Sequence, residues 1–336
     1  VIDVAIDARV TRRMSMGTRA YLQELLVRLP AVAPELRVRP LGYGENFGLA
    51  EQVALPRAIA RSHARMVHFP TTFAPLLRTA PYVVTIHDLI HLRYPAFFGP
   101  ATALHYALVG TPLARGARLL CMGDERTAED CERFLGVARE RCRVVPLGYD
   151  PMLLEREQAL TVERPFLFYA GNHRRHKDLP TLLAAWTALA PNVELDLRLT
   201  GPDEPSLRAR FSRESGTLSF LGDLTPLALR AHYRAALAYV HPALCEGFGI
   251  PMLEAAVVGT PVIASDGAIA RIVAPYAATF PTGDHRALTS LLHDLARAPA
   301  AWRARAAEGV APLRAYTWDR FAASTAAVYH EVLDGL

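Results

Sequence analysis

Lysine is almost missing from this 336-residue chain: of its 37 Lys+Arg positions, all but Lys177 are arginine. A single ammonium in an arginine background is either a chance survivor on a solvated loop or a compact point charge that the chemistry needs, as phosphate-binding lysines are. Long apolar runs are missing too. No stretch reaches eighteen uninterrupted apolar residues, which argues against a transmembrane helix. The opening Val1–Ile6 reads as a strand and lacks the basic flank and apolar core of a signal peptide, so a cytoplasmic setting is expected. The four cysteines show neither metal-site spacing nor a disulfide framework and are read as reduced thiols. Cys245, beside Glu246, is read as a small filler in preference to a nucleophile. No acidic metal cluster stands out, because Glu194-Leu195-Asp196 alternates like the polar face of a strand. Aromatic interleaving of the basic segments is absent, and with it the case for nucleic acid.

What is present is ample for two ordinary domains: 51% hydrophobic and 21% charged residues describe a globular chain. Charge is unevenly shared, with 19 Arg against 14 Asp+Glu up to residue 150 and 18 Lys+Arg against 19 Asp+Glu beyond it. A basic first half suits an anionic acceptor or an anionic membrane surface. Short β-branched and aromatic runs alternate with helical patterns throughout, the mark of parallel sheets covered on both faces. Strands are expected at Ile2–Ile6, Arg39–Gly42, Met66–Phe69, Tyr82–Ile86, Arg118–Met122 and Arg143–Pro146. A second set is expected at Phe166–Ala170, Leu195–Thr200, Leu218–Leu221, Ala238–His241, Val262–Ala264 and Ala278–Phe280. The spacing of Tyr21, Leu22, Leu25, Leu26 and Leu29 predicts a helix over Thr18–Leu29. The polar stretch from Leu147 to Arg164 reads as a hinge. Two Rossmann-like domains follow, 1–155 and 156–315, with 316–336 as a closing segment and a cleft expected between the domains.

The most informative segment is Cys245-Glu246-Gly247-Phe248-Gly249-Ile250-Pro251-Met252-Leu253-Glu254. Pro251 fits a first helical turn, and the glycines let bare backbone approach a ligand at a helix start, where N–H groups favour an anion. Glu254, one turn in, can accept hydrogen bonds from a diol such as a ribose, while Glu246 faces what lies beyond the phosphates. An anion cradle between two acceptors suits a nucleoside diphosphate carrying a sugar.

With these residues the chain resembles the family 4 retaining glycosyltransferases of GT-B architecture over nearly its whole length. The resemblance is carried by Glu246 to Glu254 as an E-x7-E element, by Ile6-Asp7-Ala8-Arg9, by Thr85-Ile86-His87-Asp88-Leu89, by Val145-Pro146-Leu147-Gly148, by the Gly171-to-Lys177 spacing, and by Tyr316-Thr317-Trp318. It implies that Lys177 binds the donor diphosphate and Glu254 the ribose. It implies that Glu246 with Gly247, Phe248 and Gly249 holds the sugar and its phosphate, that His87 contacts the sugar from the first domain, and that Gly17, before the first helix, lets backbone approach the diphosphate. The closing helix is expected to return to the first domain. Departures occur at Asn172, where relatives often carry arginine, leaving Arg174 or Arg175 to supply the second charge. Others are Asp124-Glu125 in place of Ser-Glu and Ala270-Arg271 in place of Pro-Glu.

The chemistry these residues support needs no metal or other cofactor: cations and helix-start N–H groups offset the charge that grows on the departing phosphate. The resemblance implies retention by same-face attack, with His87, Lys177 and Glu246 at the reacting centre. The expected activity is transfer of a sugar, with a lean to GDP-mannose, onto a glycan or lipid-linked saccharide in bacterial surface-polysaccharide or glycolipid synthesis. The alternatives are a nucleotide-sugar epimerase or hydrolase of the same architecture, or a non-catalytic binding subunit. Ala96–Leu119, apolar with Arg115 and Arg118 at its end, is read as a core helix or, alternatively, as a face that sits on a membrane. His68, His91, His173 and His176 are read as structural or rim residues.

Overall fold

Every strand anticipated above is present, within two residues of its expected ends, in a computed structural model that describes residues 2–9, 14–42, 50–155 and 160–336. The strands fall into two parallel sheets, one in each of two compact units. The first unit, Val1–Gly148 with Tyr316–Leu336, holds β1 (Val4–Asp7), β2 (Val38–Leu41), β3 (Met66–Phe69), β4 (Tyr82–Thr85), β5 (Leu119–Met122) and β6 (Cys142–Val144). Their order is β2-β1-β3-β4-β5-β6. The second unit, Tyr149–Ala315, holds β7 (Phe166–Tyr169), β8 (Asp196–Leu199), β9 (Leu218–Phe220), β10 (Ala238–His241), β11 (Val262–Ser265) and β12 (Ala278–Phe280). Their order, β12-β11-β10-β7-β8-β9, reverses direction between β7 and β10.

Parallel sheets require cover on both faces, and β1, β3, β4, β5, β7, β10 and β11 are buried at every position. In the first unit the cover includes the helix Met16–Val32, two residues longer than expected at its start and three at its end. The side chain of Ser15 caps it by accepting from the Thr18 N–H at 3.2 Å. Against it lies the helix Trp318–Asp334, capped by Thr317, with Trp318, Phe321 and Tyr329 buried. The rings of Tyr21 and Phe321 meet edge-on at 4.9 Å, and Arg28 pairs with Asp319 at 2.6 Å. The closing helix thus belongs to the first unit's core.

The second unit begins at Tyr149, not at 156. The segment 149–155 is held there by side-chain chemistry: Asp150 caps the turn Pro151–Leu154, and Leu153 is buried. From the helix Pro226–Ala235, Arg230 donates to the Met152 carbonyl, and Arg234 donates to those of Leu153 at 2.5 Å and Glu155 at 3.3 Å. The rest of the expected hinge includes 156–159, which lie outside the described residues.

Candidate functional site

In an open parallel sheet, ligands gather at the carboxyl ends of the strands where the order reverses. In the second unit that point is flanked by the loops after β7 and β10, and these carry Lys177 and Glu246. After β7 the chain makes the short 3-10 turn Arg175–Lys177 and passes through Asp178, whose φ of 48° is left-handed. Asp178 there starts the helix Leu179–Thr187, and its carboxylate accepts from the Thr181 hydroxyl at 2.7 Å. After β10, Leu244 N–H donates to the His176 carbonyl at 2.8 Å, clipping the two loops together. On its other side the β10 loop is held by the Ser265 hydroxyl, which donates to the Ala243 carbonyl.

The result is an ion pair between Lys177 Nζ and Glu246 Oε2, with both side chains mostly buried, at 12% and 18% exposure. His241 Nε2 lies 3.1 Å from the same carboxylate oxygen, and its side chain is 1% exposed. Burial works to raise the pKa of Glu246. The Lys177 charge and the His241 hydrogen bond outweigh it and hold the carboxyl well below the usual carboxylate range.

Glu246 leads into Gly247, Phe248 and Gly249, all buried, and then into the helix Ile250–Val257. Gly249 has φ 78°, and a Cβ there would run into Met252 and approach Glu246 Cγ at 3.3 Å. Only glycine fits this turn. Among the described residues, no protein acceptor engages the backbone N–H groups of residues 247–250. Glu254, on the helix, accepts from the Tyr233 hydroxyl at 3.0 Å. Burial pushes its carboxyl up to about 7, against the Tyr233 hydrogen bond and with the help of Asp150. Burial raises the phenol of Tyr239, and Tyr169, Glu246 and Glu254 add to it.

Not every expected residue is drawn in. Asn172, Arg174 and Arg175 are exposed, and the Asn172 side chain is used locally, accepting from Arg174 N–H at 3.2 Å. Gly17 is not before the first helix but within its first turn, exposed, with nothing within 4 Å of where its Cβ would stand. In the first unit His87 stands two residues beyond the end of β4, and its Nε2 lies 2.9 Å from the Pro70 carbonyl. A carbonyl only accepts, so Nε2 carries the hydrogen. Burial lowers the pKa of His87, against the nearby Asp88 charge, leaving a neutral ring with Nδ1 as acceptor.

His68, read as structural or rim, is fully buried between Tyr329 at 2.6 Å and Thr85 at 2.9 Å. Arg9 of the Asp7–Arg9 motif forms a buried pair with Asp7 at 2.6 Å and donates to the Phe73 carbonyl at 3.1 Å. Cys245 is buried and forms no disulfide. Among the described residues no group of three or more His, Cys, Asp and Glu gathers in a metal-binding arrangement.

The sequence reading missed His241 and the tyrosines around it. Their signal was present: Tyr239 and His241 share one side of a strand, and the strand ends five residues before Glu246.

Comparison with known proteins follows this geometry. Residues 164–297 match the family model of glycosyl transferases group 1, and residues 16–153 that of glycosyltransferase family 4. A phosphatidyl-myo-inositol mannosyltransferase of Mycolicibacterium smegmatis is 34% identical over 311 residues, 85% of this chain and 76% of that protein. An MMP alpha-(1->4)-mannosyltransferase of Mycolicibacterium hassiacum is 30% identical over 226 residues, 62% of this chain, and the match spans about half of that protein, 52%. Among solved structures, a sucrose-phosphate synthase from Thermosynechococcus elongatus superposes with a TM-score of 0.80 at 18% identity. Anabaena HepE in complex with UDP and glucose does so with 0.74 at 15%. Both matches run the full length of both chains, and at such identity they speak for the fold alone.

Proposed function

This chain belongs to the family 4 glycosyltransferases of GT-B architecture, and on that premise we propose that it transfers a sugar from a nucleoside diphosphate to a hydroxyl acceptor, with retention and without a metal. The observation that carries the reading is the meeting of the chain's one ammonium, Lys177, with Glu246 and a glycine turn of open N–H groups at the sheet's reversal point.

In the reaction, Lys177 leaves Glu246 for the diphosphate, and the N–H groups of Gly247–Gly249 take a phosphate oxygen. Glu246, released from the ammonium, accepts from the sugar hydroxyls, and Glu254 accepts from the ribose. Negative charge grows on the bridging oxygen as the glycosidic bond to phosphate breaks. The acceptor hydroxyl attacks on the same face, and its proton passes to the departing phosphate. His87 is assigned to a substrate hydroxyl through Nδ1, and one of Arg174 and Arg175 to the second phosphate charge.

The names of the mannosyltransferase relatives support a mannosyl donor, and GDP-mannose is the leading candidate. A glycan or lipid-linked saccharide is the proposed acceptor, reached in the cytoplasm, at the inner membrane face. No helix among the described residues is long and apolar enough to cross a membrane.

The test is a thermal-shift screen against GDP-, UDP-, dTDP- and ADP-linked sugars, followed by turnover with the donor that stabilises the protein. Acceptor-dependent release of nucleoside diphosphate supports transfer. Conversion of the donor at full rate without acceptor indicates a hydrolase, if nucleoside diphosphate is released, or an epimerase, if an isomeric nucleotide sugar is formed, and binding without turnover indicates a binding subunit.

A further inference from the structure

We propose that His241 is a positioning residue for glycosyl transfer: its Nε2–H keeps the Glu246 carboxylate in place while Lys177 turns from that carboxylate to the donor diphosphate. The proposal rests on the transferase reading above. His241 and Lys177 meet the same oxygen, Glu246 Oε2. A carboxylate only accepts, so the histidine nitrogen facing it at 3.1 Å carries a hydrogen. The Tyr239 hydroxyl lies 2.9 Å from Nδ1 and 3.2 Å from the Ala170 carbonyl; it has one hydrogen, and with Nε2 protonated on a neutral ring it is Nδ1, the nearer of the two, that accepts it. The rings of Tyr239 and Tyr169 run nearly parallel to the imidazole at 6.0 and 6.3 Å, which restrains its rotation.

The need for such a group follows from the motion of Lys177. Once the ammonium turns to phosphate, Glu246 is a mostly buried carboxylate beside an anion, and without a donor it would take up a proton or swing away. A second cation in that place would also be drawn to the phosphate. A neutral N–H is not. Burial lowers the pKa of His241, against the Glu246 hydrogen bond and charge, and so keeps the ring neutral near pH 7. The other groups that act on this carboxylate or its partners are the phenols of Tyr169 and Tyr239 and the Glu254 carboxylate.

The test is calorimetric titration with GDP, UDP, dTDP and ADP, between about pH 5.5 and pH 8. Wild type is compared with His241→Phe and His241→Gln, and with Lys177→Ala as a control. For whichever nucleotide wild type binds, His241→Phe should weaken affinity roughly ten- to hundredfold at the alkaline end. The ratio to wild type should close toward the acid end, where a protonated Glu246 no longer needs a donor. His241→Gln, which keeps an N–H at that position, should restore most of the affinity. An equal loss at every pH, no rescue by glutamine, or no loss at all would overturn the role of His241 alone. Wild type binding none of the four nucleotides, or Lys177→Ala binding as well as wild type, would overturn the transferase reading and this proposal with it. A second measurement needs no substitution that could impair folding: 15N spectra of histidine-labelled protein should show His241 as the Nε2–H tautomer. The Nδ1–H tautomer would refute the proposal.

Discussion

At the scale of single residues, Lys177 and Glu246 neutralise one another, so a nucleoside diphosphate must take the lysine from the glutamate. The exchange is favourable because a phosphate offers the ammonium more charge than a carboxylate does, and the freed carboxylate gains the sugar hydroxyls. Lys177→Ala is therefore expected to abolish transfer. One charge-assisted contact is worth about 1.5–3 kcal/mol on a bound phosphate and more on a developing charge. Steady-state release of nucleoside diphosphate checks this, and wild-type turnover would remove the residue from the mechanism.

Glu254 gives a pH prediction of definite sign. Its carboxyl sits at about 7 in the fold against an ordinary value of 4.5, so it favours folding below pH 4.5 and loses that contribution as pH rises through 7. Glu254→Gln should raise the melting temperature at alkaline pH by on the order of 2–4 °C and have little effect at about pH 4.5. The same substitution should weaken nucleoside diphosphate binding. Melting curves at the two pH values decide the first claim, and an equal shift at both would contradict it.

At the scale of elements, the site is made by two loops and one helix start. Gly249 combines a left-handed φ of 78° with a side-chain position already filled by Met252. Gly249→Ala should destabilise the protein by about 1–3 kcal/mol in denaturant unfolding. It should also weaken nucleotide binding by displacing the N–H groups of the turn.

The strands were legible in the sequence because buried parallel strands are continuous β-branched and aromatic runs, and such runs leave few alternatives. The Glu246–Gly249 turn was legible because Gly and Pro are local signals. The partnership of Lys177 with Glu246 was not, since it depends on which strands adjoin at the reversal point. His241 was hidden for the same reason: Nε2 matters only because the β10 loop brings Glu246 back beneath it. The boundary at Tyr149 was missed because arginines from the distant helix Pro226–Ala235, not local composition, hold 149–155.

At the scale of the molecule, the chain enters the second unit after Gly148 and leaves it after Ala315, so the first unit is completed only by Tyr316–Leu336, which follows the second unit in sequence. Tyr329 ties that closing helix to His68 and, through Thr85, to Tyr21, whose ring meets His87 edge-on at 4.9 Å. Deleting 316–336 should strip the buried face from Met16–Val32 and unfold the first unit, seen as a lost transition in melting curves. Survival of both transitions would contradict this.

The same unit bears on membrane contact. The stretch 96–119 is neither wholly core nor wholly surface: Tyr106, Leu113 and Ala114 are buried, whereas Leu104 and Leu108 are 58% and 59% exposed. Leu76 and Leu77 are likewise exposed, in a loop whose neighbour Phe73 meets the His105 ring at 4.8 Å. Arg115 and Arg118 are also exposed, and exposed leucines together with arginines are the side chains that an anionic bilayer takes up. The protein should float with anionic liposomes and release in high salt. Absence of co-flotation would count against a membrane-delivered acceptor.

The most direct test of the central claim is a crystal structure of the protein with the nucleotide sugar that stabilises it in the thermal screen. The account predicts Lys177 Nζ within hydrogen-bond reach of a diphosphate oxygen, with Glu246 still held by His241 and accepting from the sugar hydroxyls. A nucleotide bound elsewhere, with Lys177 still paired to Glu246, would contradict it.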